Sequence, residues 1–177
     1  MDSIPTRGSL HWTAGLYTPN AIEAKDYHIL ILPDGNIIKN HNLSTVLAHT
    51  YRRNTGTVAI SLCGMYGARC NDFGEYPITE AQVNSMIEVC AVISRLKGIH
   101  PYKWFTHAEW AIIDNYFPQR WDLAILQPVK EAGSVFRLAA ETGRTIRLNI
   151  EARYKALEDP CESRFAAEIM LPAREES

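Results

Sequence analysis

A histidine and an aspartate lie close together in one stretch of the chain, and both are side chains that bind zinc. His107 stands in the run FTHAEWA, and Asp122 follows in the run RWD. A catalytic zinc takes three protein ligands and keeps its remaining position open. His11, in the run LHWTA near the other end of the chain, is the candidate for the missing ligand. The elements between these segments must therefore fold so that the segments meet.

The spacing of the histidines does not by itself identify a metal site. The chain has six of them, and none belongs to an HExxH, a paired HxH or a zinc-finger pattern. A lone histidine is more often a hydrogen-bonded structural residue than a ligand, so a metal site has to be assembled from distant segments. The four cysteines show no CxxC spacing, and we interpret them as ordinary core or surface thiols.

The composition predicts one folded domain of ordinary globular character. A chain of 177 residues typically buries roughly 70% of its unfolded surface, which is enough for a core and a site without a partner. The formal net charge is −2 and no basic block is present, which argues against nucleic-acid binding. We see neither a secretory signal nor an apolar run near the roughly 18 residues of a membrane span. We therefore expect a monomer made in the cytoplasm without stable membrane association.

The order of predicted elements is that of an α/β (α+β) domain, with a central mixed β-sheet flanked by helices. We predict a first strand that presents His11, a β-hairpin around the turn PDGN, a buried central strand, a helix opened by a capping box at Thr79, and a shorter helix; these cover residues 8–14, 27–39, 57–63, 79–98 and 108–116. Residues 65–76, rich in glycine, are predicted to form an exposed loop. Side chains on the first strand and at the start of the shorter helix are then the ones to bring together.

The last third of the chain is less informative. Residues 144–157 alternate apolar and basic side chains in a way that fits either helix or strand. We expect residues 127–177 to pack on the domain as a C-terminal extension, folded through about residue 158, and the terminal PAREES to be frayed. Because no repeat or linker is visible, residues 1–177 are predicted to form a single domain.

Five segments occur in the order typical of one enzyme family. They are LHWTAG, YHILILPDG, a histidine followed by NTGTVAI, TEAQ and THAE. Over residues 8–126 the chain thereby resembles the zinc-dependent N-acetylmuramoyl-L-alanine amidases of type 2, which include amidase-type phage lysozymes and are similar to peptidoglycan recognition proteins. The resemblance implies their fold, and a single amidase catalytic domain that contains Zn²⁺.

The resemblance also implies a role for individual residues. His11, His107 and Asp122 correspond to the zinc ligands. In the family, the separation between the second histidine and the acidic ligand is larger than that of Asp114 from His107 and smaller than that of Asp122, so Asp114 is the alternative third ligand. Tyr27 matches the catalytic tyrosine, which orients the attacking water or helps to transfer its proton. Arg120 occupies the position of a family lysine two residues before the acid. An arginine keeps its charge but does not release a proton, so it would stabilise the oxyanion without acting as a general acid.

Further positions bear on the substrate and on the general base. His49 resembles a family histidine that lines the substrate groove, and a surface position is the alternative. Asn54 and Trp12 are the other candidates for substrate binding, and core packing is the alternative for Trp12. Ser61 stands where some members carry a glutamate on the buried strand, so a general base is missing at that position. His28 alternates with Tyr27 along its strand and is predicted to be structural.

The implied function is hydrolysis of the amide between N-acetylmuramic acid and L-alanine in bacterial peptidoglycan. We expect a phage endolysin that is made in the host cytoplasm and acts on the periplasmic cell wall after the membrane has been permeabilised. One alternative is a cytoplasmic amidase that recycles muropeptides. Another is a non-catalytic peptidoglycan-binding module, and the simplest is an α/β domain with scattered histidines.

Overall fold

A five-stranded mixed sheet forms the centre of the computed structural model, which describes residues 2–131 and 133–173. The strands are β1 (Arg7–Trp12), β2 (Ile29–Ile31), β3 (Ile37–Lys39), β4 (Thr57–Leu62) and β5 (Trp104–Thr106). Their spatial order is β3-β2-β4-β1-β5. β1 runs parallel to β4 and β5, β2 is parallel to β4, and β3 is antiparallel to β2. The predicted mixed sheet flanked by helices is confirmed.

Five α-helices surround this sheet among the described residues. They are α1 (Ala21–Asp26), α2 (Glu80–Lys97), α3 (His107–Ile113), α4 (Val135–Ala156) and α5 (Ala166–Met170). Short 3-10 helices cover Pro101–Lys103, Phe117–Gln119 and Pro160–Glu162. Within the described ranges no helix has both the length and the apolar character needed to cross a membrane.

The middle of the sheet is buried because its strands carry apolar side chains on both faces. Every residue of β4 is buried, as expected of a parallel strand covered on both sides. Gly8 of β1 lies against the indole of Trp104, where an added Cβ would sit only 1.9 Å from a ring carbon. The parallel strands β1, β4 and β5 end at the same edge of the sheet, so His11 and the residue that follows β5 are brought to one side.

Helix α2 packs on the sheet through a buried stripe that includes Met86, Cys90 and Ile93. Thr79 caps its first turn in a reciprocal capping box with Gln82, as predicted, and Gly98 ends it in the left-handed conformation. The amide of Gln82 also donates hydrogen bonds to the carbonyl oxygens of residues 31 and 63. One side chain therefore links the start of the helix to the ends of two strands.

The C-terminal extension is helical and joins the main core. Ile146 and Ile150 of α4 are buried in the same apolar cluster as the sheet. The ammonium group of the buried Lys39 donates to the carbonyl oxygens of Ile169 and Leu171, which ties the end of α5 to β3. Residues 174–177 of the terminal PAREES lie outside the described residues, so the prediction of fraying is not addressed for them.

Two local features were not predicted from the sequence. Trp104–Thr106 form β5 and pair with β1. Residues 65–76 form a largely exposed loop, as predicted, but Met65 and Phe73 within it are buried. They contact Ile125, which lies beyond the end of the predicted short helix. Both features depend on partners that are distant in the sequence.

Candidate metal centre

Three metal-binding side chains converge at the edge of the sheet where β1 and β5 end. The Nδ1 atoms of His11 and His107 lie 3.0 Å and 2.7 Å from Oδ2 of Asp122. One ligand atom from each residue falls within 4.8 Å of the other two. The structure thus brings together the three residues that the resemblance implied as zinc ligands.

Each of these donors is held by a different element. His11 is the fifth residue of the six-residue strand β1 and is fully buried. His107 is the first residue of α3, directly after the N-cap Thr106. Asp122 lies in the turn after the last 3-10 helix before α4, where its carbonyl oxygen accepts from the amide of Ala108 at 2.8 Å. A backbone hydrogen bond therefore joins the residue after His107 directly to Asp122.

Neighbouring polar groups fix the orientation of the donors. The amide of Trp12 donates to Oδ1 of Asp122 at 2.9 Å, which leaves Oδ2 for the histidines. The far ring nitrogen of His11, Nε2, lies 3.4 Å from the hydroxyl of Thr50. Nε2 of His107 is buried and has no hydrogen-bond partner among the described residues. Two imidazoles and one carboxylate are a ligand set that fits zinc in a catalytic site, and here the outer atoms of His11 and Asp122 have partners.

The carboxylate of Asp122 lies against the two imidazoles, at 3.0 Å and 2.7 Å. Burial alone would raise the pKa of Asp122, but the nearby His11 and His107 hold it well below its usual range. Burial lowers the pKa of His11 against the opposing effect of the carboxylate. The aspartate is therefore ionised and His11 is neutral at neutral pH, which are the protonation states that metal binding requires.

Asp114, the alternative third ligand, has a different partner. Its carboxylate oxygens accept from Nε of Arg53 at 2.7 Å and from a terminal guanidinium nitrogen at 2.5 Å. The same guanidinium lies over the ring of Trp110. Of the two aspartates, the structure places Asp122 beside the histidines and Asp114 in an ion pair at the end of α3.

Tyr27 lies beside the cluster formed by His11, His107 and Asp122. Its ring centroid is 5.1 Å from that of His11. Burial raises the pKa of Tyr27, and the Asp122 carboxylate raises it further. The phenol is therefore protonated at neutral pH and can donate a hydrogen bond. The neighbouring His28 is buried and uses both ring nitrogens, one toward the carbonyl oxygen of Thr45 and one toward the amide of Ala59.

His49 and Asn54 lie on one side of the cluster. The ring of His49 is 5.4 Å from that of His11, and its Nε2 is buried without a partner among the described residues. Burial and the neighbouring histidines lower the pKa of His49 to about 2. The side-chain oxygen of Asn54 accepts from the amides of His49 and Thr50 and so shapes their loop. Both residues line a depression of about 310 Å³ that also includes Tyr51.

Arg120 is exposed on the turn that carries Asp122. Its side chain lines a shallow depression together with Phe117, Val135 and Phe136. Those neighbours do not include any of the three candidate metal ligands. Its proposed action on an oxyanion therefore stays a prediction.

The comparisons with known proteins agree with this geometry. The sequence model of the family described as N-acetylmuramoyl-L-alanine amidase matches residues 4–122. The chain belongs to this amidase family. No curated protein sequence matches the amidase.

Two solved structures resemble the amidase in fold. A mutant form of PlyL has a TM-score of 0.57 at 13% identity, with 85% of this chain and 87% of that one covered. The endolysin N-acetylmuramoyl-L-alanine amidase LysCS from Clostridium intestinale URNW has a TM-score of 0.50 at 18% identity, with 61% and 72% covered. At these identities the likeness establishes the fold of the amidase alone.

Two features near the candidate metal centre were missed from the sequence. An apolar cleft of about 340 Å³ is lined by Trp12, Met65, Phe73 and Trp121, among others. The two large apolar residues in the glycine-rich loop were the available signal for it. The other feature is a partly buried ion pair between Glu109 and Arg147, for which the sequence offers no local signal because the partners are 38 residues apart.

Proposed function

We propose that this protein hydrolyses the amide bond between N-acetylmuramic acid and L-alanine in bacterial peptidoglycan, and that the reaction depends on zinc. The observation that carries the proposal is the convergence of His11, His107 and Asp122 within 4.8 Å of one another. Membership of the amidase family supports the choice of bond.

Nδ1 of His11, Nδ1 of His107 and Oδ2 of Asp122 are the atoms that would hold the zinc. A bound zinc polarises the scissile carbonyl and lowers the pKa of a coordinated water toward about 7. Asp122 remains ionised because its pKa is depressed, so it contributes a negative charge that offsets part of the charge of the ion. Its second oxygen stays on the amide of Trp12 and holds the carboxylate in place.

Tyr27 is proposed to act as a neutral hydrogen-bond donor at the reacting centre. Its raised pKa keeps the phenol protonated, so it can orient the attacking water or the substrate oxygen. Arg120, on the same turn as Asp122, is proposed to supply positive charge near the oxyanion. Its guanidinium stays charged throughout and cannot serve as a general acid.

The two concavities are proposed to bind the two parts of the substrate. Trp12 and Trp121 line the apolar cleft, and Trp12 is bonded through its amide to Asp122. Aromatic faces of this kind stack on sugar rings, so this cleft suits the muramic acid side. His49 and Asn54 line the other depression, and Asn54 holds the loop of His49 in shape. That depression then suits the peptide.

The proposed biological setting is a phage endolysin made in the host cytoplasm, acting on the wall once the membrane is permeabilised. A muropeptide-recycling amidase would use the same residues on soluble fragments. A non-catalytic peptidoglycan-binding module is the alternative from another class. The presence of Tyr27 beside a complete set of three donors favours the enzyme.

Metal analysis and zymography together test this proposal. Purified protein is expected to contain about one zinc per chain and to clear a peptidoglycan gel. A chelator should abolish the clearing, and added zinc should restore it. Mass spectrometry of the products should show free muramic acid lactyl groups and new L-alanine amino termini. Protein that clears the gel equally well without metal would refute the zinc mechanism, and zinc-loaded protein that binds peptidoglycan without cleaving it would favour the binding module.

A further inference from the structure

Helix α4, which lies beyond the residues matched by the family, reaches the element that carries His107. The two terminal nitrogens of Arg147 donate to the two carboxylate oxygens of Glu109, each at 2.8 Å. One of these nitrogens also donates to the carbonyl oxygen of Trp104 at 3.1 Å. Arg147 therefore holds both the strand that precedes His107 and the helix that begins with it.

Glu109 in turn fixes the start of α3. Its Oε2 accepts from the amide of Thr106 at 2.9 Å, while the hydroxyl of Thr106 accepts from the amide of Glu109 at 3.2 Å. This reciprocal capping box encloses His107, which lies between its two members. A continuous series of contacts thus leads from Arg147 through Glu109 to the backbone of the metal-binding histidine.

Gly143 supplies a second, independent observation. It lies inside the 22-residue helix α4, where a glycine is normally unfavourable. A Cβ at this position would lie 2.1 Å from the carboxyl carbon of Glu109. Gly143 and Arg147 are four residues apart and so share one face of the helix. One makes room for the carboxylate and the other binds it.

We infer that Arg147 is a positioning residue for the zinc ligand His107, acting through Glu109, and that Gly143 provides the space this contact needs. The inference rests on the proposed function, because it assigns a role in the same metal centre. It also gives residues 127–177 a task beyond covering the sheet. Without Arg147, the buried Glu109 carboxylate would lose its cation and turn toward water, and the first turn of α3 would lose its cap.

Three variants and a matched control test this role. Arg147→Met removes the guanidinium group. Arg147→Lys keeps the positive charge but not the paired hydrogen bonds. Gly143→Ala crowds the carboxylate of Glu109 while leaving both charges in place. Arg153→Met is the control, because Arg153 lies on the same helix and pairs through two nitrogens with Glu88, which belongs to α2. Circular dichroism establishes that each protein is folded.

The main measurement is the zinc dissociation constant, obtained by competition with a chromophoric chelator. We expect Arg147→Met and Gly143→Ala to weaken zinc binding about tenfold, the lower end of the effect of outer contacts on metal ligands. Arg147→Lys should fall between them and the wild type. The cobalt-substituted Arg147→Met protein should show an altered visible spectrum, and kcat should fall while KM changes little. Arg153→Met should keep wild-type zinc affinity.

The outcomes separate a positioning role from a general contribution to stability. Gly143→Ala is especially informative, because helix propensity alone predicts a more stable protein. Wild-type zinc affinity in both Arg147→Met and Gly143→Ala would overturn the inference, as would an equal loss in Arg153→Met. If Arg147→Met does not fold, Arg147→Lys and Gly143→Ala decide the question by the same criterion. Wild-type protein that binds no zinc would instead overturn the proposed function, and the inference with it.

Discussion

Replacing Asp122 by alanine is expected to abolish tight zinc binding, whereas replacing Asp114 should leave it intact. The carboxylate of Asp122 faces both histidine Nδ1 atoms, at 3.0 Å and 2.7 Å. That of Asp114 faces Arg53. The two substitutions remove the same chemical group from nearby positions in one segment, so each is a control for the other.

The expected magnitude follows from the number of ligands. Four-ligand zinc sites bind with apparent free energies of roughly 10–16 kcal/mol, or about 3 kcal/mol per ligand. Loss of one ligand therefore predicts a rise of at least about a hundredfold in the dissociation constant of zinc. Asp114→Ala should instead cost about 1 kcal/mol of folding stability, because Arg53 is 29% exposed and such pairs are partly screened.

Chelator competition and thermal unfolding measure both effects. Free zinc at about a thousand times its dissociation constant stabilises a protein by about 4 kcal/mol. For a chain of this size that raises Tm by roughly 8–16 °C. The wild type and Asp114→Ala should show this rise, and Asp122→Ala should show at most about a third of it at the same zinc concentration, because zinc is then only about ten times its dissociation constant. Loss of the zinc effect in Asp114→Ala, with its retention in Asp122→Ala, would refute the assignment of the third ligand.

Three further predictions concern catalysis and stability. Tyr27→Phe should lower kcat by about a hundredfold or more while zinc affinity stays constant, because it removes a donor and not a ligand; an unchanged kcat would exclude that role. Burial lowers the pKa of His28 in the folded protein to about 4, whereas the pKa of this histidine in the unfolded chain is near 6.5. Between these two values the unfolded chain binds more protons than the folded protein, so the free energy of unfolding falls as pH falls through this window. The free energy of unfolding that is lost between pH 7.5 and pH 5.0 should be about 2 kcal/mol smaller in His28→Asn than in the wild type, as measured by urea unfolding at both pH values. Gly8→Ala should lower the free energy of unfolding by about 1–3 kcal/mol, because its Cβ would meet the buried indole of Trp104, and an unchanged urea midpoint would contradict this packing.

Elements with strong local signals were predictable from the sequence. Helix α2 has its capping box at Thr79 and its stop at Gly98, and β4 is an unbroken apolar run between turns. The strand β5 has no such signal, because it is three residues long and is defined by pairing with β1, which lies far back in the chain. Helix α4 was recognised only as an ambiguous segment after Gly143, since the reason for a glycine inside that helix lies in Glu109 of α3.

The three candidate metal ligands were selected through the family resemblance and not through spacing, and the structure places them together. His11 and Asp122 are 111 residues apart and share no local pattern. Local sequence also left two aspartates open as the third ligand. The geometry that distinguishes them is the pairing of Asp114 with Arg53, at a separation of 61 residues. Such a partner is visible only when the chain is folded.

The position of β1 between β4 and β5 has a consequence for the order in which the protein assembles. β1 is synthesised before both of its neighbours in the sheet, because β4 and β5 come much later in the chain. Contacts of such long range make folding slow, because the chain must close large loops before they form. His11 therefore leaves the ribosome long before the partners that place it exist. On a nascent chain that ends before Asp122 the three-donor site cannot be complete, so zinc binding during synthesis would report that the sheet has closed around its first strand.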